Sequence, residues 1–134
     1  MKKILQIILI FLFSLTVFSC SDDKEEYSAT GTTAPTVSSI YPTENQSGVS
    51  ISDIILVTFS ETMNTATVTT NTSDTSCSGT LQVSSDSFST CVKMSSSPSV
   101  SNSYKTFTVT PSSSLSYSTT YKIRVTTGVK DTSG

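Results

Sequence analysis

From residue 34 onward the chain alternates short apolar runs with turn residues at close intervals. Thr36 to Tyr41 forms a first candidate strand, closed by Pro42, and Val49 and Ile51 repeat at period two in "SGVSIS". The run "DIILVTFSE" is apolar on both parities. Ile55, Val57 and Phe59 share one face and Ile54 and Leu56 the other, which predicts a central strand with little exposed surface. Gly79 to Ser84 and Ser89 to Met94 are the next two candidates. "KTFTVTP" sends Phe107 and Val109 inward and is stopped by Pro111. In "TTYKIRVTT" Tyr121, Ile123 and Val125 face in while Lys122, Arg124 and Thr126 face out. Residues 62 to 68, around Met63, Ala66 and Val68, suggest one short helical turn. About seven short strands at this spacing predict an all-β sandwich or barrel.

The amino terminus follows a different pattern. Lys2 and Lys3 precede an apolar run from Ile4 to Phe18, broken by Gln6, Ser14 and Thr16, and then come Ser19, Cys20 and the acidic residues Asp22, Asp23, Glu25 and Glu26. This is the three-part plan of an export signal. The apolar stretch is shorter than the roughly 20 residues that span a bilayer as a helix, so residues 1–19 are expected to be a removable signal. The segment Val17-Phe18-Ser19-Cys20 resembles the processing site of bacterial lipoproteins, in which a cysteine behind a small residue is acylated and becomes the new amino terminus. Val17 stands where that family usually has Leu, and Phe18 is bulky. Val17 and Ser19 also satisfy an ordinary signal peptidase, so plain secretion is the alternative. The resemblance implies lipidation at Cys20, with palmitate or a similar acyl chain, and a membrane as partner in the cell envelope, at the outer membrane or cell surface. Residues 20–33 read as the lipidated cysteine followed by a flexible acidic linker. The acidic run itself is a solvated tether or a sorting signal for surface export.

With Cys20 assigned to lipid, Cys77 and Cys91 remain in an oxidising compartment where disulfides persist. A bond between them closes a loop of about 15 residues, worth about 3 kcal/mol in the chain-entropy model; two reduced, buried thiols are the alternative. The hydrophobic pattern complicates the pairing. A hairpin turning at Ser85-Asp86 sets Val83 opposite Phe88 and Leu81 opposite Thr90, which brings Cys77 opposite Met94 and not Cys91. A register that pairs the cysteines directly turns Leu81 to the wrong face. Either the chain bends at Ser78-Gly79, where glycine permits a bulge, or the two strands lie in opposite sheets.

Composition narrows the function. Ser and Thr occupy 53 of 134 positions, charged residues are 13 % of the chain, and the net charge is −2. No Lys/Arg cluster is available to displace phosphate counterions, which argues against nucleic acid as a partner. Without a single His, a Ser-His-Asp site is impossible. Lys93, Lys105 and Lys122 fall on outward positions or strand edges, where a Ser-Lys pair has no burial to lower the lysine pKa. The sequence holds no Gly-rich phosphate loop, and two cysteines without His make no tetrahedral metal set. Asp53, Glu61 and Asp131 are weak candidates for oxygen ligands to Ca²⁺, against the plainer reading as solvated turn carboxylates. No cofactor is expected. Asn45-Gln46-Ser47 and Asn71-Thr72-Ser73 match the N-glycosylation sequon.

Residues 34–134 carry a second resemblance. "APTVSSIYPTENQSGVSISDIILVTFSETMN", then "KTFTVTP" and "LSYSTTYKIRVTTGVKDTSG", are similar to the bacterial Ig-like domain of surface-layer and other cell-surface proteins. Pro42 with Gly48 behind it, Phe59-Ser60-Glu61-x-Met63, Phe107 to Pro111, and Leu115…Thr120-Tyr121 leading to Gly128-Val129-x-Asp131-x-x-Gly134 carry the likeness. The resemblance implies an Ig-like β-sandwich, with Tyr121 as a corner tyrosine whose hydroxyl bonds to nearby backbone. In that family a further strand follows the Asp-x-x-Gly turn, and this sequence stops at Gly134. The expectation is a C-terminally incomplete domain; the alternative is an unpaired edge, open to another chain's strand. The function expected is a non-catalytic, lipid-anchored envelope module, a structural spacer or an adhesin for an extracellular protein or glycan. The alternative is the N-terminal accessory domain of a longer secreted enzyme.

Overall fold

The structure, a computed structural model, describes residues 33–134. The chain divides into two units, Met1–Gly31 and Thr32–Gly134. The expected signal peptide, Cys20 and nearly all of the acidic linker lie outside the described residues.

Six strands are present among the described residues, one fewer than the seven expected. They are β1 (Val37–Tyr41), β2 (Ile55–Phe59), β3 (Leu81–Ser84), β4 (Ser99–Ser101), β5 (Thr106–Val109) and β6 (Lys122–Val125). One sheet has the order β1-β2-β5-β4 and the other pairs β3 with β6, every neighbour antiparallel. This is an Ig-like sandwich with four strands facing two. A short 3₁₀ turn, Thr65–Thr67, occupies the segment expected to be helical. Its first N–H groups are met by the Asn64 side chain, which accepts from the Ala66 N–H at 3.1 Å.

The period-two pattern explains the core. Ile55, Val57 and Phe59 of β2 pair in register with Val109, Phe107 and the residues preceding β5, so all five side chains enter one face. All are buried, and the Phe59 and Phe107 rings meet edge to face with centroids 5.7 Å apart. Leu81 and Val83 close the layer from β3, and Met63, Val68 and Met94 fill it from the connections. On the opposite face of the large sheet Thr58 and the buried Thr106 share a hydroxyl hydrogen bond of 3.0 Å across the β2–β5 pair.

Two expected strands are absent and one unexpected strand is present. Between β1 and β2, Val49 lies in irregular backbone and Ile51 in a turn. Ser89 to Met94 forms no strand because the preceding residues fold around their own side chains. The Ser84 hydroxyl accepts from the Asp86 and Phe88 N–H groups at 3.1 and 3.0 Å, and the Asp86 carboxylate accepts from the Thr90 N–H and hydroxyl at 2.9 and 2.6 Å. Such local bonds compete with a sheet ladder. They hold Ser87 and Phe88 at φ of 60° and 65°, which a two-residue hairpin turn followed directly by a strand does not allow. Val83 therefore receives the Val92 N–H, at 2.7 Å, in place of Phe88. β4, "SVS", carries no apolar alternation. It forms because the turn Asn102-Ser103-Tyr104, all three residues at positive φ, folds it back onto β5.

Candidate functional site

Cys77 and Cys91 are joined, with Cα atoms 5.0 Å apart. The chain bends at Gly79, as the first route expected, although the second hairpin strand does not form. Gly79 has φ of +83°, and both Thr80 and Leu81 donate their N–H groups to the Thr69 carbonyl, at 3.0 and 2.8 Å. That two-against-one arrangement is a bulge. A Cβ on Gly79 would lie 2.8 Å from Thr70 Cα, so glycine is required for the close approach as well as for the positive φ. The bulge lets Leu81 and Val83 keep the core face while Cys77 turns out to meet Cys91.

The disulfide helps to roof the outer face of β3. Gln82 is 4 % exposed. Its amide nitrogen donates to the Cys77 and Gly79 carbonyls, both at 2.8 Å, and its oxygen accepts from Arg124 Nε at 2.8 Å and from Arg124 Nη2. The Arg124 guanidinium lies 3.9 Å above the Phe88 ring centroid. Phe88, expected opposite Val83, is thus the lid of this polar cluster. The Thr90 hydroxyl and N–H, followed by the Ser84 hydroxyl, stabilise the charged form of Asp86 and lower its pKa to about 2. Asp74 is shifted down in the same way by the Ser76 hydroxyl and N–H.

Tyr121 occupies the corner position. Its hydroxyl accepts from the Ser116 N–H at 3.0 Å, tying the loop before β6 to the strand. Beside it a cleft of about 1210 Å³ opens between Ile40 of β1 and Ile123 of β6 and reaches Ile55 and Val83 at its floor.

The three candidate metal carboxylates are not brought together; among the described residues no three acidic, His or Cys side chains cluster. Asp53 accepts from the Tyr41 hydroxyl at 3.0 Å, and that bond, with the carboxylate's charge, raises the Tyr41 pKa. Asp131 is buried and accepts from the Ser133 and Gly134 N–H groups at 2.7 and 2.8 Å, with its backbone bridged to Met63. Glu61 stands in the turn after β2. Each sits at its own turn. Asn71 of the second sequon is 2 % exposed, with its amide nitrogen on the Asp74 carbonyl, so a glycan has no access there; Asn45 is exposed at φ 58°. Lys93 and Lys122 are exposed, and Lys105 donates to the Ser60 carbonyl at 3.1 Å. The buried Gln82 and its Arg124 partner escaped sequence reasoning, since alternation marked the first only as an outward polar position.

A four-on-two antiparallel sandwich with a corner tyrosine defines an Ig-like β module. The chain matches the model of the bacterial Ig-like domain over residues 31–134, and it belongs to that family. Among solved structures it is similar to domains 1–6 of the surface layer protein SbsC, at 28 % identity and a TM-score of 0.54, over 78 % of this chain and 12 % of that one. It is likewise similar to the S-layer protein rSbsC(31-844), at 28 % identity and a TM-score of 0.52, over 76 % of this chain and 12 % of that one. The N-terminal part of SbsC matches at the same identity and TM-score, over 76 % of this chain and 21 % of that one. The present chain thus spans a small part of the length of these structures. No curated protein matches it.

Proposed function

We propose that the protein is a non-catalytic spacer module of the bacterial envelope, carried on an acylated Cys20 and held away from the membrane by the acidic linker. The observation that carries the reading is the family itself, together with structural neighbours that are S-layer proteins built as much longer chains. The side-chain chemistry supports it. Of the buried polar side chains, Gln82, Ser84 and Asp131 hold loops and strands together, while Asn71 Oδ1 has no partner among the described residues. The amino-terminal order of two lysines, apolar run, Ser19-Cys20 and acidic stretch supports the anchor. Each acyl CH₂ buried in lipid contributes about 0.8 kcal/mol, so two or more chains on one residue retain a soluble domain at a membrane.

The test is detergent phase partition of the full chain expressed in a bacterial host that processes lipoproteins, with mass spectrometry of the mature amino terminus. The wild type is expected in the detergent phase with an acylated Cys20, and Cys20→Ala in the aqueous phase. An aqueous wild type with an unmodified amino terminus would remove the anchor from the proposal. Protease shaving of intact cells then reports whether the module faces outward.

A further inference from the structure

The hairpin that joins β4 to β5 lies at the far edge of the large sheet from β1. The Lys105 N–H donates to the Asn102 carbonyl at 3.1 Å, which leaves Ser103 and Tyr104 as the two central residues of the turn. Both are at positive φ, 52° and 62°. Glycine and asparagine ordinarily fill such places, because a Cβ there crowds the following carbonyl. A bulky residue is an outlier, and it persists only where its surroundings over-determine it. Here the segment after β2 does so. The Thr62 hydroxyl donates to the Ser103 carbonyl at 3.3 Å, and the Met63 N–H donates to the Tyr104 carbonyl at 3.1 Å. Burial does not offset the strain, since Tyr104 is 58 % exposed and stands outside the core.

We propose that this turn presents Tyr104 as a platform for a neutral saccharide. Tyr104, Val100, Ser101 and Ser103 line a shallow cleft of about 330 Å³. Val100 is 38 % exposed, both serines are exposed, and no residue from Ser95 to Tyr104 is charged. The adjoining Lys105 ammonium donates to the Ser60 carbonyl at 3.1 Å. A pyranose ring has a face of C–H groups and a rim of hydroxyls. The face stacks on a tyrosine ring and on the methyls of valine, and the rim exchanges hydrogen bonds with serine hydroxyls, which both donate and accept. The turn is fixed from outside, so the ring is held in place before the sugar arrives. An ionic ligand finds no counter-charge in this cleft. A protein partner finds too little surface, as a stable interface takes about 20–30 residues a side and four line this cleft. The site goes beyond the spacer role and does not depend on the anchor at Cys20.

The test titrates the full 134-residue chain with cellohexaose, maltohexaose and N-acetylchitohexaose, followed by NMR shifts of the backbone amides. The expected result is saturable binding of at least one of the three, in the millimolar range, with the largest shifts at Ser101, Ser103 and Tyr104. Tyr104→Phe keeps the ring and should bind within about threefold of the wild type, whereas Tyr104→Gly should weaken binding by about tenfold or more. The same Tyr104→Gly should raise the midpoint of urea unfolding by roughly 0.5 M, because glycine takes the positive φ without strain. A variant that is more stable and no longer binds separates recognition from folding. Absence of saturable binding to all three sugars, shifts centred elsewhere, or a lowered urea midpoint in Tyr104→Gly overturns the proposal. So does a dependence of these amide shifts on protein concentration before any sugar is added, which assigns the surface to a second copy.

Discussion

Removing the disulfide tests the account of the fold most directly. In Cys77→Ala/Cys91→Ala the unfolded chain regains the freedom of a closed loop whose ends are 14 residues apart. The chain-entropy model gives about 3 kcal/mol for a loop of this length. The side-chain contribution is smaller, since Cys77 is half-buried and both residues are replaced by a small apolar group. For a domain of about 100 residues, with a urea m-value near 1–1.5 kcal/mol per molar, the unfolding midpoint should fall by about 2–3 M. The Tm should fall by roughly 12–24 °C. The assay is urea unfolding followed by circular dichroism on the wild type, the double variant and the wild type in reductant. The last two are expected to coincide, because the loss belongs to the bond and not to the packing of sulfur. The shift should leave the m-value nearly unchanged or slightly raised, as the unlinked chain exposes more surface. A double variant within about 1 kcal/mol of the oxidised wild type would refute the reasoning. It would mean that the Gly79 bulge and the Gln82 cluster already fix the loop in the unlinked protein.

Tyr121→Phe removes the acceptor for the Ser116 N–H and should cost about 1 kcal/mol in urea unfolding, with faster exchange of the Ser116 amide as the local signature. Gly79→Ala should cost clearly more than Gly48→Ala: both have positive φ, but only at Gly79 would the new Cβ meet backbone, 2.8 Å from Thr70 Cα. The strain common to both is about 1–2 kcal/mol, so equal losses by denaturation would sink the close-approach argument. The folded-state pKa of Asp86 is depressed to about 2, so its contribution to stability is present above the ordinary carboxylate pKa near 4 and is lost as pH falls towards 2. An NMR titration should place its midpoint there, and Asp86→Asn should flatten the dependence of stability on pH between about 4 and 2.

β2, β5 and β6 were legible in the sequence because each has one core face and the side-chain period of a strand is two. Tyr121 makes the corner bond that the resemblance implied. The segment after β3 was not legible, because apolar alternation there competes with Ser84 and Asp86, whose oxygens take the backbone N–H groups a ladder would need. β4 carried no signal, being three residues made into a strand by the turn beside it. Asp53, Glu61 and Asp131 illustrate the same limit from the side of chemistry. Each lies near the end of a strand or in a turn, as read, but only the course of the connections decides whether such ends converge.

The amino-acid sequence by itself determined the fold class, the inward face of each strong strand and the conflict that a Cys77–Cys91 bond creates with the hairpin register. These follow from local rules of period, turn chemistry and side-chain type, which act within a few residues. Tertiary structure alone decided that the loop after β3 replaces the expected hairpin while the chain bulges at Gly79, that Gln82 is buried beneath Arg124 and Phe88, and that, among the described residues, β6 pairs with β3. Those outcomes depend on which backbone groups, distant in sequence, find each other first, and that choice is made by the packing of the two sheets and not by any single stretch of residues.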